Sequence, residues 1–362
     1  MKKQSSVTIV GAGVAGSVLA AFLGKNGYAV TIVEQDWKEQ DRIVGELLQP
    51  GGVSLLYQMG LEHLLQGIDA KEIEGYVLHH QESSTKILYP DTDKNILGRG
   101  FKNGRFVQNA RVYISTLSSV NCISGKATRL LYKSQNQVEG IEIETEEGIE
   151  KIYSDLTIVS EGAFSKFRNY LSPAKPTITS FFLGILIDNS NMANSSFGQV
   201  ILSETGPTLV YPVSSTHSRV LIDFQGSEAP RRGQELKTCL IEEKSKSLPK
   251  DIRERFIDGV QNTAIKCMPN NYLPVVKHDV KGVVLMGDSQ NMRHPLTGGG
   301  MTAAFSNVLY LGNQILSHPH IFNEDKFYAD YTRHAKSSNG SINILANALY
   351  EVMNEPLLRD LS

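Results

Sequence analysis

The sequence predicts an α/β fold in which an antiparallel sheet is inserted into a doubly wound, Rossmann-like domain. An apolar strand at residues 7–10 runs directly into Gly11-Ala12-Gly13-Val14-Ala15-Gly16 and an apolar helix, which is the order of a dinucleotide-binding unit. Between residues 177 and 268 the pattern changes to short apolar strands, which indicates a separate antiparallel sheet. A chain of 362 residues is long enough to form both units.

The first glycine-rich segment predicts one half of a dinucleotide site. Gly11 makes the tight turn, Gly13 admits a pyrophosphate to the helix N-terminus, and Gly16 lets the helix pack closely on the strand. A second strand, at residues 29–33, ends in Glu34, where a carboxylate would hold ribose hydroxyls. The alternative for Glu34 is a solvated carboxylate at a strand end. Nicotinamide and flavin dinucleotides share this fingerprint, so this segment does not choose between them.

The predicted helices and strands between the two ends follow from apolar spacing and turn residues. A helix starts at Pro50, and the segment at 75–80 is an exposed or cleft-lining strand. Further elements are a helix at 109–118, a hairpin at 138–159 that returns to the nucleotide-binding sheet, and an amphipathic helical pair at 234–246 and 250–262. Arg111 lies in the first turn of the helix at 109–118, where it is either a ligand of a phosphate or ribityl oxygen or a surface charge.

A second glycine-rich segment, residues 291–302, predicts that the dinucleotide is FAD. It follows a buried strand and Gly287-Asp288, so that Asp288 can hydrogen-bond a ribityl hydroxyl. Gly298, Gly299 and Gly300 let the backbone approach an isoalloxazine ring, and the next helix N-terminus stabilises the charge that the ring gains on reduction. A structural turn is the alternative, but it explains neither Gly287-Asp288 nor the polar residues Asn291, Arg293 and His294. His294 could donate a proton, although a structural role is favoured for a histidine beside proline.

The predicted domain boundaries follow from these elements. The FAD-binding domain is discontinuous and comprises residues 1–75, 104–176 and 269–316. Residues 76–103 and 177–268 form the substrate domain, and residues 317–362 form a C-terminal helical segment.

The composition excludes several classes of protein. A formal charge of −2 with 41% hydrophobic residues gives no basic groove for nucleic acid. The cysteines Cys122, Cys239 and Cys267 have no paired spacing for a disulfide framework or a metal site, so a reducing compartment and no metal are expected. No apolar run approaches the ~18 residues of a membrane-spanning helix, and the first four residues lead into a strand rather than a signal peptide.

Two long segments, Asp41–Gly52 and Asn291–Thr302, resemble the hallmark segments of squalene epoxidase (squalene monooxygenase), a family of FAD-dependent monooxygenases. Shorter matches follow at Gly75-Tyr76, Gly104-Arg105-Phe106 and Phe164–Arg168, and again in the C-terminal segment, so that the resemblance covers nearly the whole chain. It implies an FAD-binding Rossmann-like domain with an inserted substrate domain, of the aromatic hydroxylase type.

The implied activity is epoxidation of squalene to (S)-2,3-oxidosqualene in sterol or triterpenoid biosynthesis. The resemblance implies FAD as cofactor, O₂ as oxidant and NADPH as the source of electrons, through an NADPH-dependent flavoprotein reductase. Reduced flavin forms a C4a-hydroperoxide with O₂, and its distal oxygen is electrophilic toward an alkene. Since the cofactor performs the difficult step, no acid–base dyad is expected; the protein excludes water and holds the alkene.

The resemblance also implies roles for individual residues. Tyr76, between flavin and substrate, and Gln49 set the active conformation and are the candidate catalytic residues. Together with the glycine motifs, the resemblance predicts these cofactor-binding residues: Gly11, Gly13, Val14, Gly16, Glu34, Arg42, Arg111, Ala127, Asp288, Gly299, Gly300 and Met301. The predicted substrate-binding residues are Tyr76, Pro295 and Leu296, joined on strand pattern alone by Phe181, Phe182, Leu209, Tyr211 and Pro212.

The chain departs from the usual family pattern at three places near the predicted cofactor. Glu161-Gly162 stands where the family has Asp-Gly, in a motif tied to both flavin and NADPH. Gln35 replaces an arginine after Glu34, and Ser289-Gln290 replaces a small-aromatic pair after Asp288. These changes bear on coupling to NADPH and on the polarity near the flavin.

The C-terminal segment carries apolar residues on one helical side, namely Ile342, Leu345, Leu349 and Val352, followed by Leu357, Leu358 and Leu361. This pattern fits peripheral membrane contact, which an insoluble substrate would require, and equally a helix packed on the core. The resemblance implies the cytoplasmic face of a membrane, that of the endoplasmic reticulum in a eukaryotic source.

Two other functions stay open at this point. One is a related flavin monooxygenase or reductase that acts on another isoprenoid or an aromatic compound. The other is a non-catalytic protein with the FAD-binding fold that binds and delivers an isoprenoid lipid.

Overall fold

A computed structural model describes residues 6–90, 96–204, 206–318, 322 and 324–354. The strands, in chain order, are β1 Val7–Val10, β2 Val30–Glu34, β3 Leu47–Leu48, β4 Lys71–Ile73, β5 Gly75–His80, β6 Ser83–Leu88, β7 Gly98–Gly100, β8 Val120–Ser124, β9 Lys126–Ser134, β10 Gln137–Thr145, β11 Gly148–Tyr153, β12 Leu156–Val159, β13 Thr177–Asp188, β14 Phe197–Leu202, β15 Thr208–Pro212, β16 His217–Gln225, β17 Lys266–Tyr272 and β18 Val283–Leu285. The α-helices are α1 Val14–Lys25, α2 Pro50–Met59, α3 Asn103–Ser115, α4 Arg168–Leu171, α5 Gln234–Glu242, α6 Lys250–Asn262, α7 Gly300–Ser317 and α8 Asp325–Asn354.

A parallel sheet forms the nucleotide-binding half of the molecule. Its strand order is β18-β12-β1-β2-β8, and each neighbouring pair is parallel. Strands β1, β12 and β18 are buried along their whole length, because parallel strands are covered on both faces. Helices α1 and α7 pack against one another in the main hydrophobic core. The predicted Rossmann-like fold is confirmed.

A seven-stranded sheet forms the other half, in the order β17-β13-β16-β15-β14-β5-β6. Its pairs are antiparallel except that of β14 with β5. Successive side chains along each strand point to opposite faces of the sheet. Leu183, Ile185 and Ile222 pack against α5 and α6 on one face, while Phe182 and Leu221 lie in the cluster on the other. The sheet continues through β17 to Tyr272, beyond the predicted domain boundary at residue 268.

One predicted helix begins at a different residue in the structure. Helix α3 starts at Asn103 rather than at residue 109, and its first turns bury Phe106 and Val107. Apolar residues at this spacing place the earlier turns on the core, so the helix is stabilised by packing and begins six residues sooner. Arg111 therefore lies in the third turn of the helix and not in the first.

Helix α8 runs along the molecule for 30 residues. Ile342 contacts the backbone of Gly299, and Leu349 packs on a core cluster, whereas Leu345 of the same predicted apolar side is 59% exposed. Core packing thus accounts for part of that side, while Leu357, Leu358 and Leu361 lie outside the described residues. Among the helices described, none combines the length and the apolar character that a membrane span requires.

Candidate active site

One cavity of about 730 Å³ extends from the glycine-rich turn after β1 to the face of the seven-stranded sheet that is not covered by α5 and α6. Gly13 and Glu34 line it at one end, and Leu209 and Tyr211 line it at the other. The two halves of the fold therefore share a single internal space. A cofactor held by the parallel sheet would face a ligand held by the antiparallel one.

The three glycines of the first turn have different surroundings. Gly11 has φ +96°, and a Cβ there would lie 2.7 Å from the carbonyl oxygen of Ser160. A Cβ on Gly16 would lie 2.0 Å from the carbonyl oxygen of Gly11, so close packing of helix on strand requires glycine at both positions. A Cβ on Gly13 would have no atom within 4 Å, because this residue, the N-cap of α1, opens onto the cavity. The space beside the helix N-terminus is where a pyrophosphate would bind.

Glu34 ends β2 and lines the cavity, as expected for a ribose ligand. Its Oε2 accepts a hydrogen bond from the Ala12 N–H at 2.8 Å, and its Oε1 accepts one from the Asp36 N–H at 3.0 Å. The carboxylate is thereby fixed against the glycine turn, and its side chain keeps 14% exposure toward a ligand.

Arg111 has a different geometry from the predicted one. Its Nε donates to the Ala12 carbonyl at 2.8 Å, and its Nη1 donates to the carbonyls of Asp36 at 3.0 Å and Lys38 at 3.1 Å. Nη2 lies 3.5 Å from Glu34. Four protein oxygens surround the guanidinium, so Arg111 braces the glycine turn and the loop after β2, although part of it still lines the cavity.

Asp288 follows β18 and faces the cavity. Although Asp288 is exposed to the cavity, desolvation by the surrounding protein raises the pKa of its carboxyl, and three arginines, Arg293, Arg42 and Arg168, oppose this effect. Arg42 and Arg293 also line the cavity. This arrangement places one acceptor among cationic groups, which suits a ligand that carries both hydroxyls and phosphates.

The polar residues after Asp288 anchor the second glycine-rich loop to two other parts of the fold, the end of β17 and helix α8. Asn291 Nδ2 donates to the Leu273 carbonyl at 2.6 Å. Arg293 Nε donates to Asn343 Oδ1 of α8 at 2.7 Å, and His294 is stacked on Tyr350 of α8 with ring centroids 4.0 Å apart. These contacts explain why a loop next to a turn of glycines carries buried polar side chains.

The glycines of this second loop are also not equivalent. A Cβ on Gly299 would lie 2.7 Å from Ile342, so this residue is turned toward α8 and is not among the residues that line the cavity. Gly300 begins α7 and lines the cavity, with no atom within 4 Å of a Cβ. Met301 lines the cavity in the next position, and Ala127 lines it on the opposite side, near Glu34.

Tyr76 lines the cavity, and Gln49, which is not among the lining residues, is hydrogen-bonded to its hydroxyl. Gln49 Nε2 donates to the Tyr76 hydroxyl at 2.5 Å and to the Thr297 carbonyl at 3.0 Å. Tyr89, which no sequence motif singles out, donates from its hydroxyl to Gln49 Oε1 at 2.6 Å. Burial raises the pKa of both phenols, so they keep their protons at neutral pH.

The apolar wall differs in part from the predicted one. Leu209, Tyr211, Pro295 and Leu296 line the cavity, but Phe181, Phe182 and Pro212 are not among the lining residues. The reason is strand alternation: Phe181 has the parity of Leu183 and Ile185, which face the helices, whereas Phe182 belongs to the cluster on the cavity side. Additional lining residues are Gln199, Leu221 and Met268. Leu221 could have been found from the same alternation.

An ion pair next to this wall was not predicted. Glu46 lines the cavity, and Arg219 of β16 donates to both of its oxygens, from Nε at 2.9 Å and from Nη2 at 3.0 Å. The two side chains are 1% and 5% exposed. Burial raises the pKa of the Glu46 carboxyl, against the lowering effect of Arg219. Glu46 belongs to the segment Asp41–Gly52, so its position in that motif was the available signal.

The departures from the family pattern have local explanations. The longer Glu161 carboxylate accepts from Ser165 Oγ at 2.6 Å and from the Phe167 N–H at 3.2 Å, which stabilises the turn before α4. Ser289 Oγ accepts from the Gly162 N–H at 3.1 Å. Gln290 Oε1 accepts from the Tyr331 hydroxyl at 3.3 Å. Gln35 lines the cavity.

Comparison with known proteins agrees with this architecture. The squalene epoxidase family model matches residues 153–357, and a model for an NAD(P)-binding Rossmann-like domain matches residues 9–38. The chain is 40% identical over 355 residues to squalene epoxidase 2, mitochondrial, of Arabidopsis thaliana, covering 96% of this chain and 60% of that protein. It is 35% identical to squalene monooxygenase of Mus musculus, covering 96% and 62%, and 35% identical to a squalene epoxidase of Schizosaccharomyces pombe, covering 97% and 79%.

Solved structures with the same fold have lower sequence identity. PqsL of Pseudomonas aeruginosa, described as a probable FAD-dependent monooxygenase, superposes with a TM-score of 0.80 at 18% identity, covering 98% of each chain. The p-nitrophenol 4-monooxygenase PnpA of Pseudomonas putida superposes with a TM-score of 0.82 at 16% identity, covering 99% of this chain and 92% of that one. At this low sequence identity, the structural similarity shows a shared fold and no more.

The chain spans about three fifths of the length of the Arabidopsis and mouse proteins. The family model nevertheless covers more than half of the chain, and the similarity to curated members extends over nearly all of it. The chain therefore belongs to the squalene epoxidase family.

Proposed function

We propose that this protein is an FAD-dependent monooxygenase that converts squalene and O₂ into (S)-2,3-oxidosqualene and water, with two electrons derived from NADPH. The observation that carries the proposal is the single cavity, in which the dinucleotide-type turn and Asp288 open into the same space as the apolar wall of Leu209, Pro295 and Leu296. Membership in the squalene epoxidase family supplies the substrate class.

The residues present fit FAD. Gly13 leaves open space at the N-terminus of α1 for a pyrophosphate, and Glu34 is fixed beside it for ribose hydroxyls. Asp288 would accept a hydrogen bond from a ribityl hydroxyl, and Gly300 and Met301 would bring the N-terminus of α7 to the flavin ring. When bound and reduced, FAD activates O₂ for the transfer of one oxygen atom to an alkene.

The chain itself has three tasks in this reaction. The apolar wall excludes water and holds the alkene close to the cofactor. Gln49 donates to the hydroxyl of Tyr76, a lining residue, and to the Thr297 carbonyl, which ties Tyr76 to the glycine loop. The first turn of α7 supplies backbone N–H groups that stabilise negative charge.

Two finer parts of the proposal concern partners and location. We infer that an NADPH-dependent flavoprotein reductase delivers the electrons, because the family resemblance implies this source. We also infer peripheral contact with the cytoplasmic face of a membrane. The support is the insolubility of the substrate together with Ile344 and Leu345 of α8, which are 72% and 59% exposed.

The test is single-turnover oxidation in detergent. The FAD-loaded protein is reduced anaerobically and mixed with O₂ and squalene, and the products are identified by mass spectrometry while the flavin absorbance is recorded. Squalane, which has no double bond, is the matched control and should give flavin reoxidation without an oxygenated product. We expect oxidosqualene with squalene only.

Other outcomes distinguish the alternative functions. A product with two added hydrogens would indicate a reductase. Peroxide release without an oxygenated product would reject squalene as the substrate of this chain, and other isoprenoids or aromatic compounds would then be screened. Lipid binding without any effect of substrate on flavin reoxidation would indicate a binding protein.

A further inference from the structure

Five polar side chains form a buried cluster beside the wall of the cavity, and one of them, Asn270, also lines the cavity. They are Ser180 on β13, Asp223 on β16, Asn270 on β17, His294 in the second glycine-rich loop and Tyr350 on α8. Ser180, Asp223, Asn270 and His294 are each at most 2% exposed. The cluster thus joins the seven-stranded sheet, the cofactor-side loop and the C-terminal helix in one hydrogen-bonded unit.

The tautomer of His294 follows from its partners. The Leu296 backbone N–H donates to Nδ1 at 3.3 Å, so Nδ1 carries no proton and Nε2 must carry it. Nε2 lies 3.0 Å from Ser180 Oγ, to which it donates. Ser180 Oγ in turn donates to Asp223 Oδ1 at 2.6 Å. The hydrogen bonds therefore run in one direction, from the Leu296 N–H through His294 and Ser180 to the Asp223 carboxylate.

Two further donors hold the carboxylate at the end of this series. Asn270 Nδ2 donates to Ser180 Oγ at 2.9 Å and lies 3.4 Å from Asp223 Oδ1. It also lies 3.3 Å from His294 Nε2, which does not accept from it in the Nε2–H tautomer. The Tyr350 hydroxyl lies 3.1 Å from Asp223 Oδ2. Burial raises the pKa of Tyr350 to about 12, so the phenol keeps its proton and donates it to Asp223. Asp223 is an acceptor for groups from three separate elements and thereby fixes their relative positions.

His294 does not line the cavity, whereas the two residues that follow it do. Its side chain caps the short 3-10 helix Pro295–Thr297, whose first two residues form part of the wall. The ring is also held between Tyr350 and Phe182, with centroid distances of 4.0 Å and 5.4 Å. A group in this place cannot touch a ligand, but it determines where Pro295 and Leu296 stand.

We propose that Asp223 and His294 are positioning residues, which fix the Pro295–Leu296 wall against the substrate through the Nε2–H tautomer of His294. The inference rests on the proposed function, because the wall is assigned to the substrate side of the cavity. Through its hydrogen bond to Asp223, Tyr350 links helix α8 to the same two residues. The expected consequence is an effect on substrate binding and on the coupling of O₂ use to product, with FAD binding retained.

The first test is independent of turnover. In the protein without FAD at neutral pH, ¹⁵N-labelled histidine is observed by long-range ¹H–¹⁵N correlation, and the His294 signals are assigned by their loss in His294→Gln. We expect an unprotonated Nδ1 and a protonated Nε2. A protonated Nδ1 would overturn the proposal. Should His294→Gln fail to fold, His294→Asn serves for the assignment.

The second test distinguishes the two hydrogen bonds of the His294 imidazole, that of Nδ1 with the Leu296 N–H and that of Nε2 with Ser180. Asn at position 294 can still cap Leu296 but is too short for Ser180, whereas Gln can reach Ser180 but caps poorly. We expect KM for squalene to rise about fivefold in His294→Gln, the factor that corresponds to loss of one N-cap bond, and less in His294→Asn. Peroxide released per oxidosqualene should rise in His294→Gln, while FAD content stays at the wild-type level.

Two further variants complete the design. Tyr350→Phe removes one donor to Asp223 without changing the ring, and we expect a smaller shift of KM in the same direction. His217→Gln, in a partly exposed histidine of β16 outside the cavity, is the control and should leave KM unchanged. Equal KM values in wild type and the position-294 variants would overturn the proposal while leaving the epoxidase assignment intact. Absence of oxidosqualene from the wild type would instead reject the proposed function.

Discussion

Replacing Arg219 by methionine should destabilise the protein strongly, because it leaves Glu46 as an uncompensated buried carboxylate. The wild-type pair is bidentate, with distances of 2.9 Å and 3.0 Å, and both side chains are almost fully buried. The other side-chain contact of the carboxylate is the Tyr211 hydroxyl at 3.4 Å, which is too long to replace the guanidinium. Methionine keeps most of the apolar volume of the arginine stem, so the change removes mainly the cation.

The expected magnitude follows from the burial of the pair. Removing one partner of a buried ion pair costs about 3–5 kcal/mol of unfolding free energy. The sign of the pH dependence follows from the raised pKa of Glu46, which Arg219 at present lowers. Without Arg219 this pKa rises further, so the folded variant holds a proton that the unfolded chain releases above the ordinary glutamate value of 4.5. The stability deficit should therefore be smallest near that pH and grow as the pH rises.

Urea unfolding of the protein without FAD, from pH 5 to pH 8, measures this deficit. Arg255→Met is the matched control, since it breaks the Arg255–Asp188 pair, whose side chains are 26% and 56% exposed. An exposed pair is worth about 0–1 kcal/mol. Adding Glu46→Gln to Arg219→Met should restore part of the loss. A deficit for Arg219→Met that matches the control, or that does not change with pH, would refute the reasoning.

Four other substitutions test the residues around the proposed cofactor site. Gly13→Ala should fold normally but bind FAD weakly. Gly16→Ala should lower the melting temperature, because its Cβ would lie 2.0 Å from the Gly11 carbonyl oxygen. Thermal unfolding and FAD titration distinguish the two variants, and similar behaviour of both would contradict the assignment. Asp288→Ala should lose FAD. Because the pKa of Asp288 is raised in the folded state, ionisation of its carboxyl lowers the free energy of unfolding as the pH rises above 3.8. The Asp288→Ala variant should lack this part of the pH dependence. Unchanged FAD content and an unchanged pH dependence would count against the role of Asp288. Tyr76→Phe should lower turnover with FAD still bound, and an unchanged rate would make Tyr76 a structural residue.

Short segments of sequence were sufficient for the parts of the site that depend on local geometry. The turn Gly11–Gly16 lies between β1 and α1, and Glu34 ends β2, because glycine spacing and strand length determine these positions within a few residues. Asp288 faces the cavity for the same reason, since it directly follows a buried strand at the edge of the parallel sheet. The family resemblance added Tyr76 and Gln49, which local pattern alone does not connect.

Tertiary structure alone decided which side chains meet. Arg111 lines the cavity, but only the tertiary structure shows that its Nε and Nη1 donate to backbone carbonyls of the glycine turn and the loop after β2. Phe181 was placed on the wall, but the register of β13 turns it to the opposite face from Phe182.

Contacts between distant parts of the chain show the same limit. Glu46 and Arg219 are separated by 173 positions, and Ser180 and His294 by 114. By itself, the sequence determined the fold class, the glycine turns and the family. The ion pair, the tautomer of His294 and the shape of the shared cavity depend on how two sheets pack, and packing brings together groups that have no local signal in the chain.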